Sequence, residues 1–352
     1  MPRRGGWRRL GPYPRKSAGL SGGPGERGRF RYVDARGNRI RDPDRLARIE
    51  ALAIPPAWRE VWISPSPGAK LQATGVDAAG RKQYLYHARF RAAQEQAKYE
   101  SLIRFGERLP GLREAMAGHM ELERLDPDRV SAVAVRLINL GWFRVGSDRY
   151  AKDGRTFGIT TLRKHHVSVR GHEITFRFRG KGRAQVHRTV ADDELAGEIR
   201  YLLRLEDGSR LFRYRQNGGL CNLTGARLNE YIGTHLAEEF TAKDFRTWGG
   251  TLLAAIGLAE RGVAETEAGA KRAIAAVMRS VGEQLGNTPA VCRASYVSPA
   301  VIDQYLEGRT LEDFRPRHLR VVGARDIGLD VEERSLLSLL RSARIRQSRL
   351  AA

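Results

Sequence analysis

The stretch HHVSVRGHEITFRFRGKGRAQVHRTV, residues 165–190, alternates. Ile174, Phe176 and Phe178 face one way, and Thr175, Arg177 and Arg179 the other. That period of two belongs to a half-buried strand. Gly180-Lys181-Gly182 supplies the turn chemistry, so the stretch reads as a hairpin or meander with Lys181 at its tip. His165 and His166 are expected on opposite faces of a strand. The flanking segments have a different period. Upstream, DPDRVSAVAVRLINLGWF (126–143) offers Asp126 as an N-cap and Pro127 at the first helical position. Val130, Val133, Ala134, Leu137 and Ile138 then make one apolar helical face. Downstream, helices are predicted at about 226–238, 242–259 and 266–285, and a basic amphipathic segment at about 331–349. A small sheet set among helices makes the fold class α+β.

Working toward the N-terminus, RAAQEQAKYESLIRFGERLP (91–110) has helical spacing and is expected to end at Pro110. Before it, short β-type runs are broken by Pro and Gly, and RFRYVDARGNRI (29–40) looks like a hairpin. Residues 1–28 are rich in Gly, Pro and Arg without an apolar period, and their glycines lack a following GK[ST], so they form no phosphate-binding loop. The expected organisation is a disordered basic arm over 1–28, a small β-rich N-terminal domain over 29–104, and a larger, mainly helical domain over 105–352 that carries the three-stranded sheet.

The chain of 352 residues carries a formal net charge of +22, which speaks about partners rather than fold. No apolar run is long enough to span a bilayer, and no secretory apolar segment stands near the N-terminus. Basic charge runs through the folded part, which favours nucleic acid over a membrane surface. Two isolated cysteines, Cys221 and Cys292, suit a reducing cytosol and exclude a disulfide framework. The scattered histidines offer no metal-ligand cluster and no Ser-His-Asp arrangement.

Several polar residues stand at the edges of predicted elements. Arg144 follows the 126–140 helix, and Lys181 tips the hairpin. Lys243 and Arg246 fall in the first turns of one helix behind Thr241, where a cation opposes the macrodipole and an external anion gives a reason for it. Asn287 precedes a short helix begun by Thr288 and Pro289, and Tyr296 lies about two turns further on. Each alone has an ordinary reading as solvated surface, turn or packing. Spacing by itself goes no further than a DNA- or RNA-binding protein.

Taken in order, FRVGSDRY (143–150), TTLRKHHV (160–167), FRGKG (178–182), KDFRTWGGT (243–251) and LGNTPAVCRASY (285–296) resemble the boxes of type IB DNA topoisomerases, the bacterial, poxvirus-like branch in particular. DAAGRKQYLYH (77–87) is similar to that family's DNA-clamping segment. The resemblance covers roughly residues 30–310. It implies a C-shaped clamp, with Tyr296 as nucleophile toward a DNA 3′-phosphate. Arg144 and Arg246 hold non-bridging oxygens, Lys181 protonates the leaving 5′-oxygen with Lys243 assisting, and Asn287 donates to a phosphate oxygen where many relatives have His. Arg81, Gln83, Tyr84, Tyr86 and Tyr150 are the implied DNA contacts. The resemblance further implies double-stranded DNA as partner, neither nucleotide cofactor nor metal, a monomer, and a cytoplasmic, nucleoid-associated location.

The residue types suit the chemistry. Guanidiniums match phosphate geometry bidentately and stay charged, and a departing alkoxide needs the proton that an ammonium carries. A tyrosine recombinase shares this logic, but recombinases usually place His at position 243 and a helical domain in the N-terminal half. A non-catalytic architectural DNA binder fits the net charge equally well, but not the ordered catalytic set.

Overall fold

The computed structural model describes residues 6–13, 29–206, 208–316 and 328–351. The chain divides into two compact units, Met1–Lys98 and Tyr99–Ala352.

Unit 1 contains β1 (Trp7–Tyr13), β2 (Arg29–Val33), helix α1 (Pro43–Ala51), β3 (Arg59–Ile63), β4 (Leu71–Val76) and β5 (Lys82–Tyr86). The strands form one antiparallel sheet in the order β2-β1-β3-β4-β5. Its small core gathers Trp7, Ile40, Ile49, Val61, Ile63 and Ala73.

Residues 7–13 therefore depart from the expected disordered arm. They form an interior strand, and Trp7 is 6% exposed. Gly11 and Pro12 had argued against a strand. They sit where the β1–β2 register slips between Leu10 and Tyr13, and a bulge tolerates a residue without an N–H. Arg9 donates to the Pro55 carbonyl at 3.1 Å and lies 4.2 Å over the Phe30 ring, so its charge is used inside the unit. The rest of the expected arm lies outside the described residues. The predicted 29–40 hairpin is also revised. β2 pairs with β1, and Arg39 makes only an isolated bridge to Val33.

Helix α2 (Ala88–Met120) runs through the division between the units. It passes Pro110 instead of stopping there. A proline inside a helix costs about 3 kcal/mol. Phe105, Leu109, Leu112 and Met116 are buried on either side of it, and that burial outweighs one missing hydrogen bond.

Unit 2 continues with α3 (Pro127–Gly141), α4 (Asp148–Asp153), β6 (Val167–Arg170), β7 (Glu173–Arg179), β8 (Gln185–Ala191), α5 (Asp193–Arg204), β9 (Arg213–Gln216) and β10 (Gly219–Asn222). It ends with α6 (Gly225–His235), α7 (Ala242–Ala259), α8 (Glu267–Leu285), α9 (Pro289–Ser295), α10 (Pro299–Leu306) and α11 (Val331–Ala351). Asp126 caps α3 through Arg129 N, and the predicted face of Val130, Val133, Ala134, Leu137 and Ile138 is fully buried. β6, β7 and β8 form the expected meander, with Ile174, Phe176 and Phe178 inward. His165 and His166 close a single 3-10 turn before β6 instead of alternating on a strand. Their rings lie 4.3 Å apart, and burial lowers His166 to about 4.

Trp7→Ala is expected to destabilise unit 1 by about 3–5 kcal/mol, as large-to-small core changes do. Urea unfolding followed through a unit 1 probe checks this; an unchanged midpoint would mean β1 is not part of the folded sheet.

Candidate active site

Three arginines meet two helix ends. Every α-helix leaves its last carbonyls without partners. Neither α3 nor α8 has a basic side chain in its own last turn to meet them. The cations come from elsewhere in unit 2. Arg246, in the second turn of α7, donates to the Trp142 carbonyl at 2.5 Å and the Leu285 carbonyl at 2.6 Å. Arg188 of β8 donates to the carbonyls of Gly141 and Gln284. Arg144 donates to the Gly286 carbonyl at 2.9 Å and to Asn287 Oδ1 at 2.7 Å. Together they lace the end of α3 to the end of α8. None of the three pairs with a carboxylate among the described residues. Burial pushes all three guanidiniums down from their ordinary value, and the charge of Arg246 adds to the lowering of Arg144 and Arg188. From so high a starting value they remain cations.

A pocket opens against this lacing. Arg144, Lys181, Arg188 and Arg246 line it, with Trp142, Phe143, Phe157 and Phe178 as apolar wall and exposed Glu283 also present. Lys181 reaches it from the β7–β8 turn, which closes through Gly180 N to the Ala184 carbonyl at 2.8 Å and needs Gly182 at φ 73°. The segment between α4 and β6 joins this turn to Arg144. Phe157 N donates to the Arg179 carbonyl at 2.7 Å, and Ile159 N to the Arg144 carbonyl at 2.8 Å. A Cβ on Gly158 would stand 2.5 Å from that Arg144 oxygen, so only glycine allows the approach.

Tyr296 lies just past α9, half-buried, its N–H donated to the Cys292 carbonyl. The Arg246 guanidinium sits 5.1 Å from its ring centroid, a cation–π contact. Asn287 is oriented by Arg144. A guanidinium can only donate, so the amide oxygen faces it and the NH₂ group is left over. That Nδ2 is buried without a partner, and so is Arg246 Nε. Buried unpaired donors are costly, so two in one site are ready-made for an anion. Lys243 stands apart. It is exposed in the first turn of α7 and does not line the pocket. Cys292 is buried, and burial pushes its thiol up, which keeps it protonated.

Comparison with known families bears directly on this arrangement. Residues 87–310 match the eukaryotic DNA topoisomerase I catalytic core, and residues 29–77 match the bacterial DNA topoisomerase IB N-terminal domain. The chain belongs to the type IB DNA topoisomerases. It is 33% identical to the DNA topoisomerase 1B of Acanthamoeba polyphaga mimivirus, over 74% of this chain and 80% of that protein. It is 22% identical to the DNA topoisomerase 1B of vaccinia virus (strain Copenhagen), over 68% of this chain and 73% of that protein.

For this type IB chain, the implied DNA contacts fall into separate groups. On β5, Lys82, Tyr84 and Tyr86 are exposed, while Gln83 and Leu85 alternate to the half-buried side. Tyr84 and Tyr86 stack at 6.3 Å, and Lys82 lies 5.8 Å over the Tyr84 ring. Gln83 and Arg81 are instead both held by Asp77 Oδ2 at 2.8 Å, and the Arg81 backbone N–H, followed by these side-chain donors, lowers that carboxyl to about 2. Strand alternation thus separates Gln83 from the two tyrosines. In unit 2, Tyr150 on α4 is 54% exposed. Among the described residues no group of His, Cys, Asp and Glu could hold a metal ion, and no helix is long and apolar enough to cross a membrane.

Sequence reasoning missed Arg188. The available signal was its phase. Val186, Arg188 and Val190 share the face of β8 that pairs with Phe178, Phe176 and Ile174. An arginine in the apolar phase of a strand needs a partner. Also missed was the role of the WGG triplet. Trp142 ends α3 at φ 50°, and a Cβ on Gly249 would strike its indole at 2.1 Å. A Cβ on Gly250 would lie 2.8 Å from the Tyr296 carbonyl oxygen and 3.0 Å from Leu285.

Gly250→Ala is expected to cost about 1–3 kcal/mol of overpacking and to slow cleavage of a suicide duplex by displacing Tyr296; a wild-type cleavage rate in single turnover would show that this approach does not set the tyrosine. Asn287→Ala is expected to slow the same step about tenfold to somewhat over a hundredfold, the equivalent of about 1.5–3 kcal/mol for a hydrogen bond to a charged group. If the folded variant cleaves at the wild-type rate, Asn287 only shapes the turn before Pro289.

Proposed function

We propose that this topoisomerase relaxes positive and negative supercoils by nicking one strand through Tyr296 and resealing it, without ATP or metal. The Tyr296 phenol oxygen forms a bond to the scissile phosphorus as the bond to the 5′-oxygen breaks. Lys181, assisted by Lys243, gives the departing oxygen its proton. Arg144, Arg246 and Asn287 hold the non-bridging oxygens, where donors aimed at developing charge have most effect. Religation runs the same step backward, and the phosphotyrosyl bond conserves the energy that resealing needs.

The observation that carries this reading is the pair of buried, unpartnered donors, Asn287 Nδ2 and Arg246 Nε, beside an arginine cluster without carboxylate partners. Arg246 lies over Tyr296, which links that anion site to the nucleophile. In this reading the enzyme acts as a monomer on nucleoid DNA, as the C-shaped clamp that the family resemblance implies. Exposed Tyr84 and Tyr86 beside Lys82 support a DNA-facing role for β5.

Tyr296→Phe is expected to keep fold and duplex binding while abolishing both plasmid relaxation in EDTA and the covalent protein–DNA adduct. Relaxation by the Phe variant would remove Tyr296 from the mechanism. Affinity for duplex should fall steeply with salt, with a log–log slope of about −0.9 per phosphate neutralised. A titration from low to high salt measures it; a flat response would contradict binding through phosphates.

A further inference from the structure

We infer that Arg188 is a positioning residue for strand cleavage, a third arginine of the site that acts on the phosphate through Arg144 and Asn287. The inference rests on the reading of those two residues as phosphate holders. Arg188 spans the Gly141 and Gln284 carbonyls, one at each of the two helix ends. Arg144 lies three residues beyond the first, and Asn287 three residues beyond the second. The bridge therefore fixes the separation of the two segments that carry the phosphate-binding groups. It runs beside the Arg246 bridge between Trp142 and Leu285, so the two helix ends are held at neighbouring points and cannot pivot about one.

The chemistry of the residue matches this task. A guanidinium is a planar fork whose two terminal nitrogens can meet two carbonyls at once, whereas an ammonium is a single point charge on a flexible stem. Arg188 is held flat on its other side as well, 5.5 Å over the Phe143 ring. Its neighbours on the same strand face, Val186 and Val190, are apolar. A residue whose only task was to fill that face would be apolar too. The charge is repelled by Arg246 and Arg144, a cost that an anion entering the pocket lined by all three would offset.

The test compares Arg188→Gln and Arg188→Lys with Val190→Ala, a buried change on the same face of β8 away from the pocket. Single-turnover cleavage of a suicide duplex, duplex affinity and thermal unfolding are measured on the full chain. Arg188→Gln is expected to slow cleavage roughly ten- to a hundredfold while affinity changes by no more than about threefold. Arg188→Lys, keeping the charge but not the fork, should restore only part of the rate. Where the Gln variant does not fold, the Lys variant carries the comparison. Because Arg188 acts through Asn287, adding Asn287→Ala to the Gln variant should slow cleavage further by only about threefold or less, far short of the product of the two single effects.

A wild-type cleavage rate for Arg188→Gln would overturn the inference. So would strictly multiplicative effects with Asn287→Ala, or an equal loss of rate in Val190→Ala at equal loss of stability. Tyr296→Phe runs in parallel. If it still forms the covalent adduct, the underlying reading of the site fails instead, and the two failures are told apart.

Discussion

The arrangement depends on guanidinium groups bound to helix-end carbonyls. The C-terminal ends of α3 and α8 bring partial negative charge and unpaired oxygens to one place. Arg144, Arg188 and Arg246 satisfy five of those backbone oxygens, those of Gly141, Trp142, Gln284, Leu285 and Gly286. This solves two problems together. The carbonyls gain donors, and three like charges are held close without carboxylates that would neutralise them. A carbonyl accepts a hydrogen bond yet leaves the cation's full charge available to a phosphate, which an ion pair would not.

Small residues then bring the remaining parts within reach of that frame. Gly158 lets the segment after α4 lie against the Arg144 backbone, and Gly250 lets α7 approach the Tyr296 backbone. Thr251 adds a polar tie there. Its hydroxyl donates to the Thr247 carbonyl and accepts from Ser298 N at 3.1 Å, so α7 holds the chain on the far side of the tyrosine. The site is assembled on helix and strand ends packed into one core. That is a better support for sub-ångström chemistry than an exposed loop.

Two elements show local rules yielding to tertiary context. Pro110 remains inside α2 because the residues around it are buried. Gly11 and Pro12 remain inside β1 because the sheet has a bulge at that point. At Pro110 the local penalty is about 3 kcal/mol, and the burial of Phe105, Leu109, Leu112 and Met116 exceeds it. At Gly11 and Pro12 the slipped register accommodates a residue without an N–H.

Local sequence alone determined the α+β class, the N-cap of α3 and the inward face of β7, because each segment's own capping residues and pattern of apolar residues dictate these features. The order of the boxes was enough to single out Arg144, Lys181, Arg246, Asn287 and Tyr296. Tertiary structure alone decided what those residues touch. It turned the Asn287 amide by means of Arg144, and separated buried Arg246 from exposed Lys243 although both begin the same helix. It also recruited Arg188, whose partners at 141 and 284 lie far away in sequence. The physical reason is the same throughout. Helix-end carbonyls are identical in every sequence, so which cation reaches them depends on how the elements pack.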